Sequence, residues 1–238
     1  MKRIICILFA ILIIAGITAH AKTTKKAGNK KSTNSSIVVT KGETKQYGDF
    51  LTTQFYTVSK GKNKKITLEF PISGNEKLVK SVREDLLNKL NIEGNKNTKS
   101  LESLLKTADL SDLCTDPSSF EHKHFIRYDN GQIISYADYC GNTLIGGNSF
   151  LIEDGTSLNE AIEADMKKLE PYMLREMPDY WTESNYGSFF IIDQKLYFRA
   201  FYDIVSPFNT IEIKTLNIPA IYNIVSPEIQ QFFKLSNN

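Results

Sequence analysis

Residues 120–140 read FEHKHFIRYDNGQIISYADYC, and the way this stretch folds decides the architecture. β-branched and aromatic residues alternate with polar ones on both sides of Asn130-Gly131, the dipeptide most typical of a two-residue β-turn. The pattern predicts strands over 120–129 and 131–140, joined as a hairpin. With Asn130 and Gly131 as the two turn residues, His122 faces Tyr139, His124 faces Ala137 and Cys140 faces Glu121. The imidazoles, two residues apart, share one face of the strand. Cross-strand partners share a face, so this register puts Cys140 on the opposite one. Two histidines at such spacing begin many metal sites, but here they lack the cysteine as a third ligand. The expectation is a pair of histidines on a partly exposed sheet face, with no metal and no cofactor.

The next residues, GNTLIGGN (141–148), place Gly141 and Gly146 five apart, as in a phosphate-binding loop. Such a loop needs Lys and then Ser or Thr after its second glycine, and it must open a helix. Gly147 and Asn148 hold those places, and SFLIEDG continues as strand and turn. Glycines inside a strand instead mark a bulge or the close approach of another backbone. The third strand is thus predicted over 143–152.

Working outward, 50–58 and 64–72 read as strands. Asn75 is set to cap a helix carrying Leu78, Val82, Leu86 and Leu90 at helical spacing. A second helix is predicted over 98–113. Ser157 and Glu160 form a capping box for a helix running through 174. Strands over 187–193, 195–203 and 209–218 and a short C-terminal helical stretch complete an α+β fold, an antiparallel sheet with helices packed on one face.

The N-terminus gives the location. Lys2 and Arg3 precede an apolar run of about 14 residues, short for a membrane span of about 20, and Ala19 and Ala21 frame a cleavage site. Residues 1–21 therefore read as a signal peptide, and the protein as exported, periplasmic or extracellular, with no transmembrane anchor after cleavage. Residues 22–65 hold eleven lysines and two acids, net +9; residues 66–238 hold 16 basic and 25 acidic residues, net −9. KTTKKAGNKKSTNSS (22–36) has almost nothing apolar to bury. Residues 22–49 read as a basic flexible tether; contact with anionic envelope polymer or lipid is the alternative. Residues 50–238 form the folded part, as one domain or as two subdomains, 50–115 and 116–238. An acidic body in an exported protein excludes nucleic acid as partner.

Cleavage removes Cys6 and leaves Cys114 and Cys140, an even pair in an oxidising compartment, which reads as a disulfide. Closing a loop of about 27 residues would stabilise the fold by roughly 3 kcal/mol.

Three blocks carry a family resemblance. ITLEFPISGNEKLVKSVREDLLNKL (66–90) is similar to the strand, Phe-Pro and helix that begin the globular part of RsiV-type envelope proteins. YCGNTLIGGNSFLIEDGTSLNEAI (139–162) resembles that family's central block, and the segment from Phe189, with Tyr202 to Pro207, its closing block. The family's Gly-Gly-Ala-His element is not matched, since Asn148 follows Gly146-Gly147. These extracytoplasmic domains occur in lysozyme-sensing anti-sigma factors and beside peptidoglycan deacetylase domains, without an established catalytic centre of their own. The resemblance implies a non-catalytic binding module for a cationic protein such as lysozyme, or for a peptidoglycan-type glycan. Tyr180, Trp181 and Tyr186 in MPDYWTESNYGSFF would stack on sugar rings or anchor a partner; the alternative for Trp181 is a core position. An enzyme acting on envelope glycan, through Glu153 with Asp154 or Asp179 with Glu183, is the second hypothesis, and a structural subunit of a larger assembly the third.

Exported protein is expected to carry a Cys114–Cys140 bond. Mass spectrometry after alkylation without reductant checks it; alkylation of both thiols would refute the pairing.

Overall fold

The hairpin is present, and it lies inside a larger sheet. The computed structural model describes residues 36–61, 64–92, 100–110, 121–176, 188–201 and 211–237. All of them fall within one unit, Ser35–Asn238. Strands β1 (Ile37–Tyr47), β2 (Leu51–Lys60), β3 (Lys64–Gly74), β4 (Glu121–Asp129), β5 (Ile133–Cys140) and β6 (Thr143–Leu151) form one sheet in that order. Every neighbour pair is antiparallel except β3 and β4, which run parallel over Lys65–Leu68 and Glu121–His124. Strands β7 (Ser188–Ile192), β8 (Lys195–Phe201) and β9 (Ile211–Leu216) make a second, antiparallel sheet.

Helix α1 (Glu76–Lys89) forms where the apolar spacing places it. The Asn75 side chain accepts from the Lys77 and Leu78 amides at 3.1 and 3.3 Å, and its Nδ2 donates to Ile152 O and Glu153 O. The cap therefore also fixes the helix to the end of β6. Leu78, Val82 and Leu86 are fully buried with Tyr56, Val58, Ile66, Leu68 and Phe70 in a first core. Burial of this kind contributes about 1.5–3 kcal/mol per side chain.

The second predicted helix is shorter than 98–113. Helix α2 covers Leu101–Leu105, because Thr107 turns its hydroxyl back onto Leu104 O at 2.7 Å and competes with the helical ladder. The helix predicted to run from Ser157 through 174 is two, α3 (Leu158–Glu163) and α4 (Met166–Glu176). Ser157 does cap α3, accepting from Glu160 N at 3.5 Å. The break falls at buried Asp165, whose carboxylate accepts from Lys168 Nζ and from Ser226 N. That bond joins the break to the start of the last helix, α6 (Pro227–Ser236), which follows α5 (Ile218–Ile221). Among the described residues no helix is long and apolar enough to cross a membrane.

Three sequence expectations need correction. Residues 37–47, assigned to the tether, form edge strand β1; lysines and a bulge between Lys41 and Thr44 make it look like solvated chain, and both features suit an edge. The α+β class holds, but the parallel β3/β4 pair makes the sheet mixed. Helices are not confined to one face either: Ile134 and Tyr136 join the α1 core, while Ile133, next along β5, joins a second core with α3, α4 and α6. Finally, the β4–β5 register differs. The turn residues are Gly131 and Gln132, not Asn130 and Gly131: Asn130 N donates to Ile133 O, and Asn130 Oδ1 accepts from the Gln132 and Ile133 amides. A bulge between Ile126 and Tyr128 then shifts pairing again, so His122 faces Cys140 and His124 faces Asp138.

A second buried carboxylate stands beside the parallel seam. Glu69 accepts from Tyr47 OH at 2.5 Å, Thr53 Oγ1 at 2.8 Å and Ile126 N at 2.9 Å. The last bond takes over where the β3–β4 ladder stops. Burial, then the adjoining carboxylate, raises the Tyr47 hydroxyl far above its ordinary value.

Gly147 is a close approach, as expected for a strand glycine. A Cβ there would lie 2.5 Å from Tyr136 O and 2.9 Å from the Phe190 ring. Gly131, at φ +81°, has open space around it. Gly147→Ala is expected to lose about 3 kcal/mol and Gly131→Ala about 1 kcal/mol in urea denaturation; equal losses would refute the close-packing account.

Candidate functional site

The observed register brings together side chains that the sequence reading kept apart. His122 and His124 of β4, Asp138 and Cys140 of β5, and Gly146 of β6 share one face of the sheet. Helix α1 lies over part of that face. Its last residue, Lys89, reaches the centre, which is why the polar end of an amphipathic helix closes over a buried acid.

Asp138, 4% exposed, is the hub. Its Oδ1 accepts from His124 Nδ1 and lies 3.7 Å from His122 Nε2. Its Oδ2 accepts from Lys89 Nζ at 3.2 Å, and Lys89 in turn sits 3.1 Å from Asp85. Arg199 of β8 approaches from the second sheet: a Cβ at Gly146 would meet its Cδ at 3.1 Å and Asp138 Oδ2 at 3.5 Å. The missing side chain at Gly146 makes room for this approach.

The protonation states follow from these contacts. Burial pushes the Asp138 carboxyl up, but Lys89 and the histidines outweigh it and hold it well below the carboxylate range. Burial works against charge on Lys89 too, and Asp138 with Asp85 raises it nonetheless. For His124 burial dominates and lowers it, with Asp138 only partly offsetting. An ionised carboxylate can only accept, so Nδ1 of the neutral His124 ring carries the proton and Nε2 holds a lone pair. Nε2 has no hydrogen-bond partner among the described residues. The ring stacks on Tyr136, centroids 4.8 Å apart.

A cavity of about 160 Å³ lies beside this cluster. Lys89, His122, His124, Asp138 and Arg199 line it on one side, and Ile66, Leu68, Leu86, Leu90 and Ile145 supply apolar wall. Larger, more open grooves run along α1 and α2 past Phe70 and Arg83, about 600 Å³, and beside α5 at Tyr222, about 630 Å³.

The histidines are therefore buried, not half-exposed, and Cys140 is on their side of the sheet; the turn and bulge account for both corrections. No group of three metal-binding side chains is gathered among the described residues. Cys140 is buried; its expected partner Cys114 lies outside the described residues, as do Tyr180, Trp181, Tyr186, Asp179 and Glu183. Glu153 and Asp154 are exposed on the turn after β6, with Asp154 Oδ1 accepting from Thr156 N. Asn148 donates to Asp85 and Ser157, both at 3.0 Å. It ties β6 to α1 and to the cap of α3. Sequence reading missed Asp138, Lys89 and Arg199, since no local spacing links them.

No protein-family model matches the chain, and no curated protein matches it.

The cluster makes stability fall on acidification. His124 is lowered in the fold, so between about pH 6.5 and its folded value only the unfolded chain takes the proton. Asp138 is also lowered; its contribution, complete above about pH 4, is lost as pH falls through its folded value. Urea midpoints are expected to drop from pH 6.5 downward, and His124→Gln to flatten the first part of that drop. A profile in native protein that is flat from pH 7 to 5 would refute the neutral, buried imidazole. Asp138→Asn is expected to cost about 3–5 kcal/mol at pH 7, since it leaves buried cations unmatched.

Proposed function

We propose that this chain is an exported, non-catalytic binding module of the cell envelope, similar to RsiV-type extracytoplasmic domains, with a cationic protein such as lysozyme or a peptidoglycan-type glycan as its ligand. The observation that carries the reading is the use made of the buried charge. Asp138 is matched internally by Lys89, His124 and His122 behind α1, and Asp85 by Lys89 and Asn148. The polar centre serves the scaffold, which leaves recognition to the surface. The net charge of −9 over residues 66–238 favours encounter with a cationic partner. Tyr180, Trp181 and Tyr186 stand in the connection between α4 and β7 and supply the apolar anchor in this reading. A Cys114–Cys140 bond would hold the chain before β4 to the end of β5.

An enzyme acting on envelope glycan is the second reading. One observation favours it: a carboxylate orienting a buried histidine in the lining of a cavity has two of the parts of a general-base site.

The test is a pull-down with lysozyme and with peptidoglycan, across a salt series. Truncation must stop at residue 34, because removal through residue 64 would take away β1 and β2. Protein lacking residues 22–34 is expected to keep binding. Trp181→Ala should weaken binding more than loss of any single surface carboxylate, by tenfold or more if Trp181 is a hot spot worth about 2 kcal/mol. Binding that vanishes at moderate salt whatever stands at 181 would be nonspecific charge and would overturn the proposal. Release of soluble fragments from peptidoglycan, abolished by His124→Gln, would favour the enzyme.

A further inference from the structure

We infer that the open groove beside α5 binds a neutral, N-acetylated saccharide chain, the chemistry of a peptidoglycan-type glycan strand. The inference rests on the envelope reading for that source, and it puts the contact on a surface that reading does not use. At about 630 Å³ the groove falls within the range of small-molecule sites, about 300–1,000 Å³.

The polar lining is mostly of one kind. Gln194 from the β7–β8 turn, Asn217 and Asn223 on either side of α5, and Asn237 just after α6 bring four carboxamides to one concavity, and all four residues are exposed. A carboxamide has two donor hydrogens and an acceptor oxygen, which matches hydroxyl and acetamido groups, each of them both donor and acceptor. Asn217 precedes α5 but makes no side-chain cap bond to it. Asn237 donates to Phe233 O at 2.9 Å, which steadies the amide and leaves its oxygen able to accept. Gln194, at φ +62°, follows Asp193, at φ +50°, in the two-residue turn between Ile192 and Lys195. Glycine is the residue that turn position prefers, so Gln194 stands there for its side chain and not for its backbone.

Tyr222, Ile218 and Pro219 supply an apolar part of the lining. A pyranose ring presents C–H surface between its hydroxyls, and an aromatic body with a polar tip suits such a ligand. Tyr222 is half-buried against the second core, so its place is fixed before a ligand arrives. Charge narrows the choice further. Among the described residues that line the groove, Lys195 carries the only charge, and Lys234 lies over the Tyr222 ring, 5.9 Å from its centroid. The groove is thus a local exception to the net −9 of residues 66–238. It repels a cationic protein or a deacetylated, cationic sugar and accepts a neutral one.

The probes are chitotetraose and its fully deacetylated, cationic counterpart, titrated by calorimetry into the mature chain. Chitotetraose is expected to bind, and the deacetylated tetramer to bind about tenfold more weakly or worse. Asn217→Ala and Asn223→Ala should each weaken chitotetraose about fivefold, the value of one hydrogen bond. Gln194→Gly should raise the thermal midpoint, since glycine suits the turn, while lowering affinity by a similar factor. A variant that is more stable yet binds less cannot be explained by unfolding. Chitotetraose binding that persists in protein unable to capture lysozyme would support the groove while the protein-ligand reading fails. No binding of chitotetraose, or equal affinity for the two tetramers, would overturn the groove and leave recognition of lysozyme through Trp181 standing. Binding lost in Trp181→Ala but indifferent to the three groove substitutions would put the glycan at the α4–β7 connection, which overturns the inference and keeps the envelope reading.

Discussion

Everything on the α1 side of the sheet depends on one carboxylate being fully matched. Asp138 sits where an unpaired charge could not be kept, and its partners come from three separate elements: Lys89 from α1, His122 and His124 from β4, and Arg199 from β8 nearby. The network continues beyond them. Lys89 shares its charge with Asp85; Asp85 accepts from Asn148 of β6; Asn148 bonds Ser157, which caps α3. A continuous line of polar contacts therefore crosses the molecule beneath α1, from the start of one helix to the end of another. Apolar packing decides that these elements are buried together; the polar line decides how they align.

Glu69 does the same work at the other end of the sheet. It gathers β1 through Tyr47, β2 through Thr53 and β4 through a main-chain amide. The two carboxylates serve opposite sides of the seam where β3 meets β4. Neither tolerates loss of a partner well, since each satisfies several donors at once.

Much of the architecture was legible in the sequence because its signals are local. Asn75 followed by Leu78, Val82 and Leu86 specified α1 and its cap, and the alternating runs specified eight of the nine strands found among the described residues. Failures arose where a non-local or single-residue effect won. One extra residue in β4 and a turn starting at Gly131 were enough to move Asp138 opposite His124, and a shift of one residue exchanges the faces of a strand. The lysine-rich β1 looked solvated because an edge strand needs no apolar alternation. Asp165 broke a helix through a bond to Ser226, some sixty residues away. The candidate site was illegible for the same reason: Lys89, Asp138 and Arg199 have no spacing in common, and only the fold collects them.

The single parallel pair has a consequence for how the chain reaches this state. β1–β2–β3 and β4–β5–β6 are each made of near neighbours in sequence, closed by tight turns. The join between them pairs Lys65 with Glu121, 56 positions apart, across α1, α2 and their connections. Loop-closure entropy must be overcome before that join gives anything in return. On this topology the two meanders are expected to form first as separate units, with their registration at the seam as the slow step of folding. Lys65–Glu121 marks one end of the seam and Glu69, bonded to Ile126, the other. Substitutions at those contacts will slow folding, while equally costly ones in the outer strands will mainly speed unfolding.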